Sequence, residues 1–572
     1  MKRSRALAAL VAGVALFWVL RLVSAWADRT VAFVTFVAFI SAIVLLADWL
    51  IASFGPGLWR FTRSVGLSIG RALHDDAEVR VVGGRYPRLF KWLGGRFSVE
   101  RPSGLYLTVT AASALYFFSS FVSVALSLAL SRAITDYDPQ LLALLRVFRT
   151  PGLTRVLWVG TVMADPRVIP FLAVLVASLF VLWGRRSEAG LLLIALIGGV
   201  GLQTITKFAF HRVRPPIDFA LIKEPSSFSF PSGHAFTSLL FIGILVFVSW
   251  RTFGSLRARL AILFVAAFGV GAIGLSRVYL GVHWPSDVIA SWSLAMAWLC
   301  VVCGCYLMLV RYRGLREVWP AWSTQRLRSV VTVAVSFATI VGIAAGAQAD
   351  PLLARATATA PVVPWNIANG PTGRLAPTPS EMQQLPLFST KLDGSNQEPI
   401  GIVFVGTRAQ LNSAFVAAGW EVADSPSFST LARAAAAAIG NQPYPTAPVT
   451  PTFLDGAVQD VAFEKSSGTA TVRRRHHIRF WQTHATINGV PVWVATASFD
   501  SRLEIGTTIP LPTHHIEPDI DAEQAYVVAD LTRTGRAEFV ARVRVTQPST
   551  GTNAQGDAWF TQGYASLLKA KP

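Results

Sequence analysis

Three short segments of the sequence carry side chains that could bind and transfer a phosphoryl group. The first runs from Lys207 to Arg214 and Pro215, the second is Pro231-Ser232-Gly233-His234, and the third runs from Ser276 and Arg277 through His283 to Asp287. Each segment stands at the end of an apolar stretch. Ionisable groups at such positions are costly in a membrane and usually functional, so we treat the three segments as one candidate site.

Phosphoryl transfer explains why these residue types occur together. Its transition state spreads negative charge over three oxygens, which fixed cations and backbone N–H groups stabilise. Lys207, Arg214 and Arg277 supply the cations, and arginine has a fork geometry that matches phosphate oxygens. Ser232 is a good N-cap for a helix, and Gly233 lets a phosphate approach its first N–H groups.

His283 and Asp287 are four residues apart, with Pro285 between them. If Pro285 lies in the first turn of a helix, this spacing brings the two side chains together. A carboxylate beside a histidine fixes its tautomer, so His283 could attack phosphorus while His234 protonates the leaving oxygen. No carboxylate cluster with metal-ligand spacing accompanies them, so we expect neither a metal nor another cofactor. His211 and Arg212 are predicted to be non-catalytic.

The pattern K-x6-RP, PSGH and SR-x5-H-x3-D resembles that of the type 2 phosphatidic acid phosphatase superfamily, and all eleven of its fixed letters match here. The resemblance spans about residues 105–310. It implies a six-helix membrane core and metal-free hydrolysis through a phosphohistidine. By motif position, His283 is the nucleophile, Asp287 its partner and His234 the acid. The resemblance also implies phosphate binding by Lys207, Arg214, Ser232, Gly233 and Arg277.

The location of the site indicates the substrate only as a broad class. A site beside the headgroup layer favours a lipid phosphate or pyrophosphate, of the phosphatidic acid, phosphatidylglycerol phosphate, undecaprenyl pyrophosphate or lipid A class. Small soluble phosphates stay open as substrates. A lipid transporter or scaffold with a degenerate site is the alternative from another functional class, and vanadium haloperoxidases share the motif.

Composition indicates a membrane protein. The 572 residues are 52% hydrophobic and 15% charged, with mean hydropathy +0.47, whereas soluble domains carry about a quarter charged residues. The net charge of +19 divides into +20 for residues 1–348 and −1 for the remainder. The excess therefore lies in the apolar part, where it orients spans, and nucleic acid is not an expected partner.

Nine apolar runs are long enough, with their flanks, to be membrane spans. They lie at 6–27, 31–53, 105–131, 168–183, 189–206, 235–250, 260–275, 287–310 and 330–347. The positive-inside rule places two segments in the cytoplasm. One is the basic segment 54–104, and the other is the loop before the last span, within residues 311–348. The candidate site and everything after the last span are then periplasmic, in an inner-membrane protein.

Two predictions for the N-terminal region have alternatives. The first span could be a cleaved signal peptide, because Ala25-Trp26-Ala27 resembles a cleavage site; we favour an uncleaved span. Segment 54–104 is predicted to lie on anionic headgroups rather than to bind nucleic acid.

The C-terminal part is predicted to be a separate soluble α+β domain at 399–572, after a linker at 349–398 rich in proline, alanine and threonine. Helices are expected at 407–419, 429–439 and 521–534, a strand at 400–405, and a hairpin at Asn488-Gly489. The run Arg473 to Trp481 and the run His514 to Glu517 are similar to an LssY-type C-terminal domain.

The role predicted for this domain is binding a partner in the cell envelope. A metal site is the alternative, with candidate ligands His476, His477, His484, His514, His515, Glu517 and Asp519. Because neighbouring residues of a strand point to opposite faces, not all of these side chains can converge.

Overall fold

The computed structural model describes most of the predicted core and most of the C-terminal domain. The described ranges are 75–98, 104–130, 135–165, 168–216, 220–222, 227–313, 387–440, 442–467, 474–505, 512–554 and 556–571, with isolated positions elsewhere. The predicted spans at 6–27 and 31–53, nearly all of the one at 330–347, and the linker up to 386 lie outside these residues. The chain divides into two compact units, residues 1–130 with 150–360 and residues 131–149 with 361–572.

The first unit is helical. Its helices, with α4 of the second unit included for numbering, are α1 (Ala77–Arg85), α2 (Pro87–Phe97), α3 (Leu105–Ala129), α4 (Tyr137–Val147), α5 (Pro151–Met163), α6 (Val168–Leu182), α7 (Arg186–Phe210), α8 (Gly233–Thr252), α9 (Leu256–Tyr279) and α10 (Pro285–Arg313). Among the described residues, α3 and α7–α10 are long and apolar enough to cross a membrane. The pair α5 and α6, bent by 57°, would be a sixth span if counted as one.

These helices agree with the six runs predicted for the core, and they extend further toward the motif residues. The run predicted to end at residue 206 continues to Phe210, and the run predicted to end at 275 continues to Tyr279. The described residues thus hold five or six of the nine predicted spans. Helices α4 and α5 occupy residues 132–167, where the sequence predicts a loop.

Glycine allows the core helices to approach closely. A Cβ at Gly199 of α7 would lie 2.2 Å from Leu240 of α8, and one at Gly274 of α9 would lie 2.2 Å from Trp292 of α10. Small residues at helix contacts are the usual route to tight packing in membranes. The α7–α10 contact is also fixed by Trp298 Nε1, which donates to the Ala195 carbonyl at 2.9 Å.

The second unit is an α+β domain, as predicted. Its strands are β1 (Phe388–Thr390), β2 (Asn396–Pro399), β3 (Ile402–Val405), β4 (Glu421–Val422), β5 (Phe453–Leu454), β6 (Ala457–Val458), β7 (Val461–Ser466), β8 (Arg475–Ile487), β9 (Val490–Ile505), β10 (Pro512–Ile516), β11 (Ala537–Arg544), β12 (Ser549–Thr552), β13 (Ala558–Thr561) and β14 (Tyr564–Ala570). Its remaining helices are α11 (Arg408–Ala417), α12 (Phe428–Gly440) and α13 (Ile520–Arg533).

An eight-stranded sheet organises this unit. Its order is β11-β14-β3-β9-β8-β7-β4, with β10 pairing β9, and only the β14–β3 pair is parallel. The β8–β9 hairpin turns at Asn488 and Gly489, which both have positive φ, as a type I′ turn requires. Strands β1 and β2 form a smaller sheet with β5 and β6. β1 and most of β2 lie inside the segment predicted as a linker, where β1 pairs with both β2 and the distant β5.

Side chains alternate between the two faces of the large sheet, and apolar side chains are buried on both faces. On one face, α11 and α13 cover a core in which the Phe415 and Phe463 rings stack with centroids 4.3 Å apart. On the other, Trp481, Val494 and Leu567 pack with Leu454 of the smaller sheet.

Helix α4 belongs to this unit although it is encoded between two core helices. Pro139 of α4 lies against β5–β6, where a Cβ at Gly456 would come within 3.1 Å of its side chain. A Cβ at Gly394 would lie 3.4 Å from the Asp136 side chain and 3.5 Å from that of Gln140. The sequence predicts instead that these residues belong to the 105–310 core.

Phe415 offers a stability test with a matched control on the same helix. Because Phe415 is fully buried against three aromatic rings, Phe415→Ala should cost about 3–5 kcal/mol of folding free energy. The neighbouring Val416 is 56% exposed, so Val416→Ala should stay within about 0.5 kcal/mol. Proteolysis of the full-length protein through a urea series measures both. Equal midpoints for the two variants would contradict this packing.

Candidate active site

The predicted site residues lie where four helix ends meet. Lys207 is in the last turn of α7, Ser232 and Gly233 begin α8, Arg277 is in the last turn of α9, and Asp287 is in the first turn of α10. His283 lies in the short turn between α9 and α10. The α8 and α10 ends are tied together by Ser291 Oγ, which donates to the Ser232 carbonyl at 3.0 Å.

His283 is held between a carboxylate and a guanidinium. Its Nδ1 lies 3.3 Å from Asp287 Oδ2, and its Nε2 lies 3.1 Å from Arg214 Nη1. A guanidinium can only donate, so Nε2 is the acceptor and the ring proton is on Nδ1, facing Asp287. A histidine in this tautomer presents a lone pair at Nε2, the atom that faces the predicted phosphate-binding arginine.

The Asp287 carboxylate is fully buried and receives four hydrogen bonds. Oδ1 accepts from Arg212 Nη1 at 2.6 Å. Oδ2 accepts from the Trp284 backbone N–H at 3.0 Å, from Ser229 Oγ, and from His283. Because charge-assisted hydrogen bonds favour the ionised form, Asp287 is a carboxylate that orients His283.

The three predicted cations come from three different segments. Lys207 Nζ donates to the Phe228 carbonyl at 2.7 Å, and Arg277 Nη1 donates to Thr161 Oγ1 of α5 at 2.5 Å. Arg214 donates from Nη1 to the Val282 carbonyl at 2.8 Å and from Nη2 to Ser227 Oγ at 2.9 Å. These bonds fix the position of each cation, and Arg214 is in hydrogen-bond contact with His283.

The start of α8 has the features of an oxyanion-binding site. Ser232 is the N-cap residue, and its buried Oγ has no hydrogen-bond partner within the described part of the chain. A Cβ at Gly233 would lie 2.9 Å from Gln203 Nε2, so a larger residue there would make the Gln203 side chain shift. His234 follows in the first turn and is half-buried. A buried unsatisfied hydroxyl at a helix N-terminus is a group that an anion could satisfy.

The structure adds residues that the motif letters do not include. Arg212, predicted to be non-catalytic, donates to both Asp287 and Ser286 and lies over the Trp284 ring. Ser229 shares the same carboxylate. Both lie in irregular loops, and no sequence periodicity predicts which way a loop residue points. His211 lies outside this network, with its exposed ring edge-on to Phe228.

Burial lowers the pKa of two site residues that lie outside the helices, His283 and Arg214. Burial lowers the pKa of His283 to about 3, against the opposing effect of the hydrogen bond to Asp287. Burial also lowers the pKa of Arg214, again partly offset by Asp287. At neutral pH the imidazole of His283 is therefore uncharged.

Three of the candidate histidines, His476, His477 and His515, have separate acidic partners. His476 pairs with Glu523 at 2.9 Å on the helix-covered face of the sheet, whereas His477 lies 3.3 Å from Asp500 on the opposite face. His515 pairs with Asp557 at 2.7 Å. Within the described ranges, no group of three or more His, Cys, Asp or Glu side chains could hold a metal ion.

Comparison with known proteins matches two regions of the chain to families. The PAP2 superfamily matches residues 188–311, and the family described as LssY C-terminus matches residues 382–565. The first region contains all the predicted site residues, and the second contains most of the eight-stranded sheet.

Two curated relatives are also similar over part of the chain. Phosphatidylglycerophosphatase B of Bacillus subtilis is 32% identical over 153 residues, which are 26% of this chain and 73% of that protein. An undecaprenyl-diphosphatase of Sulfolobus acidocaldarius is 30% identical over 129 residues, 22% of this chain and 58% of that protein.

A crystal structure of a transmembrane PAP2-type phosphatidylglycerolphosphate phosphatase from Bacillus subtilis is also similar. It has 25% sequence identity and a TM-score of 0.33, covering 36% of this chain and 99% of that one. With the relative of which 73% is covered and the two family matches, this chain belongs to the PAP2 superfamily of membrane phosphatases and carries an LssY-type C-terminal domain.

Proposed function

We propose that this protein hydrolyses a lipid phosphate or pyrophosphate through a phosphohistidine at His283. The observation that carries the proposal is the orientation of the ring. Nδ1 faces the buried Asp287 carboxylate and Nε2 faces Arg214, so the nucleophilic lone pair points to where a phosphate would be bound.

In the first step, Nε2 of His283 attacks phosphorus and the bond from phosphorus to the leaving oxygen breaks. His234 gives that oxygen a proton, and the lipid leaves as an alcohol or a shortened phosphate. Asp287 stabilises the positive charge that develops on the imidazole. In the second step, water attacks phosphorus and the bond from phosphorus to Nε2 of His283 breaks. His234 takes a proton from the water, and inorganic phosphate leaves with His283 neutral again.

Electrostatic stabilisation in this proposal comes from the protein. Lys207, Arg214 and Arg277 surround the transferred group with positive charge, while Ser232 and the first N–H groups of α8 contact its oxygens. Such preorganised donors are worth most where water is excluded, and His283 and Arg277 are both 1% exposed.

The substrate class rests on the relatives. Their names describe enzymes for phosphatidylglycerophosphate and undecaprenyl diphosphate, and we extend lipid phosphate hydrolysis of this kind to the present chain. We place the site and the LssY-type domain on the periplasmic face of the inner membrane, because the predicted cytoplasmic connections are the more basic ones. We also propose that this domain binds a partner in the cell envelope.

Removal of the nucleophile tests the reaction. Phosphate release from a panel of lipid phosphates should persist in EDTA and fall by about four orders of magnitude or more in His283→Ala. The control His211→Ala changes an exposed histidine of the same region and should keep full activity. Unchanged release in His283→Ala would refute the proposal, and lipid transport without turnover would favour the transporter alternative.

Arg212 should act as a positioning residue through Asp287. Its charge-assisted hydrogen bond is worth about 1.5–3 kcal/mol, so Arg212→Gln should lower kcat about 10- to 100-fold with little change in KM. The matched control is Val213→Ala, because that side chain is 82% exposed. A change confined to KM would mean that Arg212 contacts substrate instead.

The protonation of His283 can be measured directly. Because its pKa is lowered to about 3, the imidazole should remain neutral, with its proton on Nδ1, from pH 8 down to pH 5. ¹⁵N NMR of histidine-labelled protein, assigned with His283→Gln, would follow it. A His283 signal that titrates near its usual pKa of about 6.5 would contradict the burial described here.

A further inference from the structure

A large apolar cavity lies between α3, α8, α9 and α10, away from the active site. Its volume is about 1100 Å³, above the range of roughly 300–1,000 Å³ that is usual for small-molecule sites. Trp292 and Gly271 line one end, and Arg251, Arg259 and Arg311 line the other. Aliphatic, aromatic and small residues form nearly all of the wall between them.

The arginine end is opposite to the catalytic end. Helices α8 and α10 begin at the active site, and Arg251 and Arg311 lie near their far ends. Helix α9 ends at the active site, and Arg259 lies near its start. With a rise of about 1.5 Å per residue, the 24 residues from Asp287 to Arg311 span about 36 Å. A phosphate at these arginines is therefore distinct from a phosphate beside His283.

Aromatic rings position the three guanidinium groups. Arg259 lies over the Trp250 ring at 5.5 Å, and its Nε donates to the Phe253 carbonyl at 2.6 Å. Arg251 lies over the rings of Phe247 and Tyr306, and Arg311 lies 5.1 Å from the Tyr106 ring. Three helices thus bring one arginine each to the same end of one cavity.

We propose that this cavity binds a phospholipid with a negatively charged headgroup. The headgroup phosphate contacts Arg251, Arg259 and Arg311, and an acyl chain lies along the apolar wall toward Trp292. Each guanidinium has five N–H donors, so these arginines can keep their present contacts and still bind oxygens of an anionic headgroup. Basic pockets between membrane helices are known to select anionic headgroups, and arginine matches phosphate oxygens well.

Native mass spectrometry of the full-length protein tests this proposal. Delipidated protein is exposed to equal amounts of phosphatidylglycerol and phosphatidylethanolamine in detergent. We expect retained phosphatidylglycerol to exceed phosphatidylethanolamine at least tenfold. His283→Ala should keep this preference, because the lipid cavity is separate from the active site. This result is therefore expected whether or not the proposed catalysis is right.

Two variants and two controls locate the bound lipid. Combined Arg251→Gln, Arg259→Gln and Arg311→Gln should abolish the preference. Gly271→Leu should block the chain, because a side chain there enters open space in the cavity wall. Arg257→Gln and Gly269→Leu change the same helix at positions that do not line the cavity, and both should bind like the wild type.

Three results would overturn the proposal. One is equal retention of the two phospholipids by the wild type. Another is loss in Gly271→Leu with the preference intact in the arginine variant, which would indicate a chain site without headgroup recognition. The third is equal loss in the controls. If the triple variant does not fold, Arg259→Gln alone decides, since a partial loss of preference supports the site and an unchanged preference refutes it.

Discussion

A buried negative charge organises the catalytic end of the helix bundle. A carboxylate as deeply buried as Asp287 costs several kcal/mol unless it is paired and fully hydrogen-bonded. Its donors come from the loop after α7, the loop before α8 and the turn before α10. The same four bonds that make the charge tolerable therefore fix the relative positions of three helix ends. The orientation of His283 follows from that arrangement, so folding and chemistry depend on one group.

The second unit shows that buried charge alone does not make a reactive site. Asp500 bonds Arg475 and lies close to His477 within the sheet, and Arg475 also contacts Glu464 at 2.5 Å. All four side chains are almost fully buried, so a substrate has no approach to them. At the catalytic end, by contrast, Lys207, Arg214 and His234 are only half-buried. Partial exposure beside the buried His283, the proposed nucleophile, is the arrangement that a bound phosphate needs.

Local features could be predicted from the sequence, and non-local ones could not. The His283–Asp287 contact follows from a helix that begins at Pro285, and the β8–β9 turn follows from Asn488-Gly489, because each involves residues close in the chain. Arg212 and Ser229 reach Asp287 from loops whose course depends on packing. Strands β1 and β2 lie in a segment whose average composition is typical of a linker, and β1 also pairs with β5, which is far along the chain.

Helix α4 has a consequence for how such a protein can be rearranged. Pro139 and Gln140 lie against glycines of the second unit, although the gene encodes them between two helices of the first. The second unit is therefore discontinuous in the sequence, and a cut at residue 360 would separate it from one of its own helices. Exchange of the C-terminal domain between relatives would have to bring the matching α4 with it. Recombination at a single boundary would leave both parts with unmatched surfaces, so the two segments should evolve together.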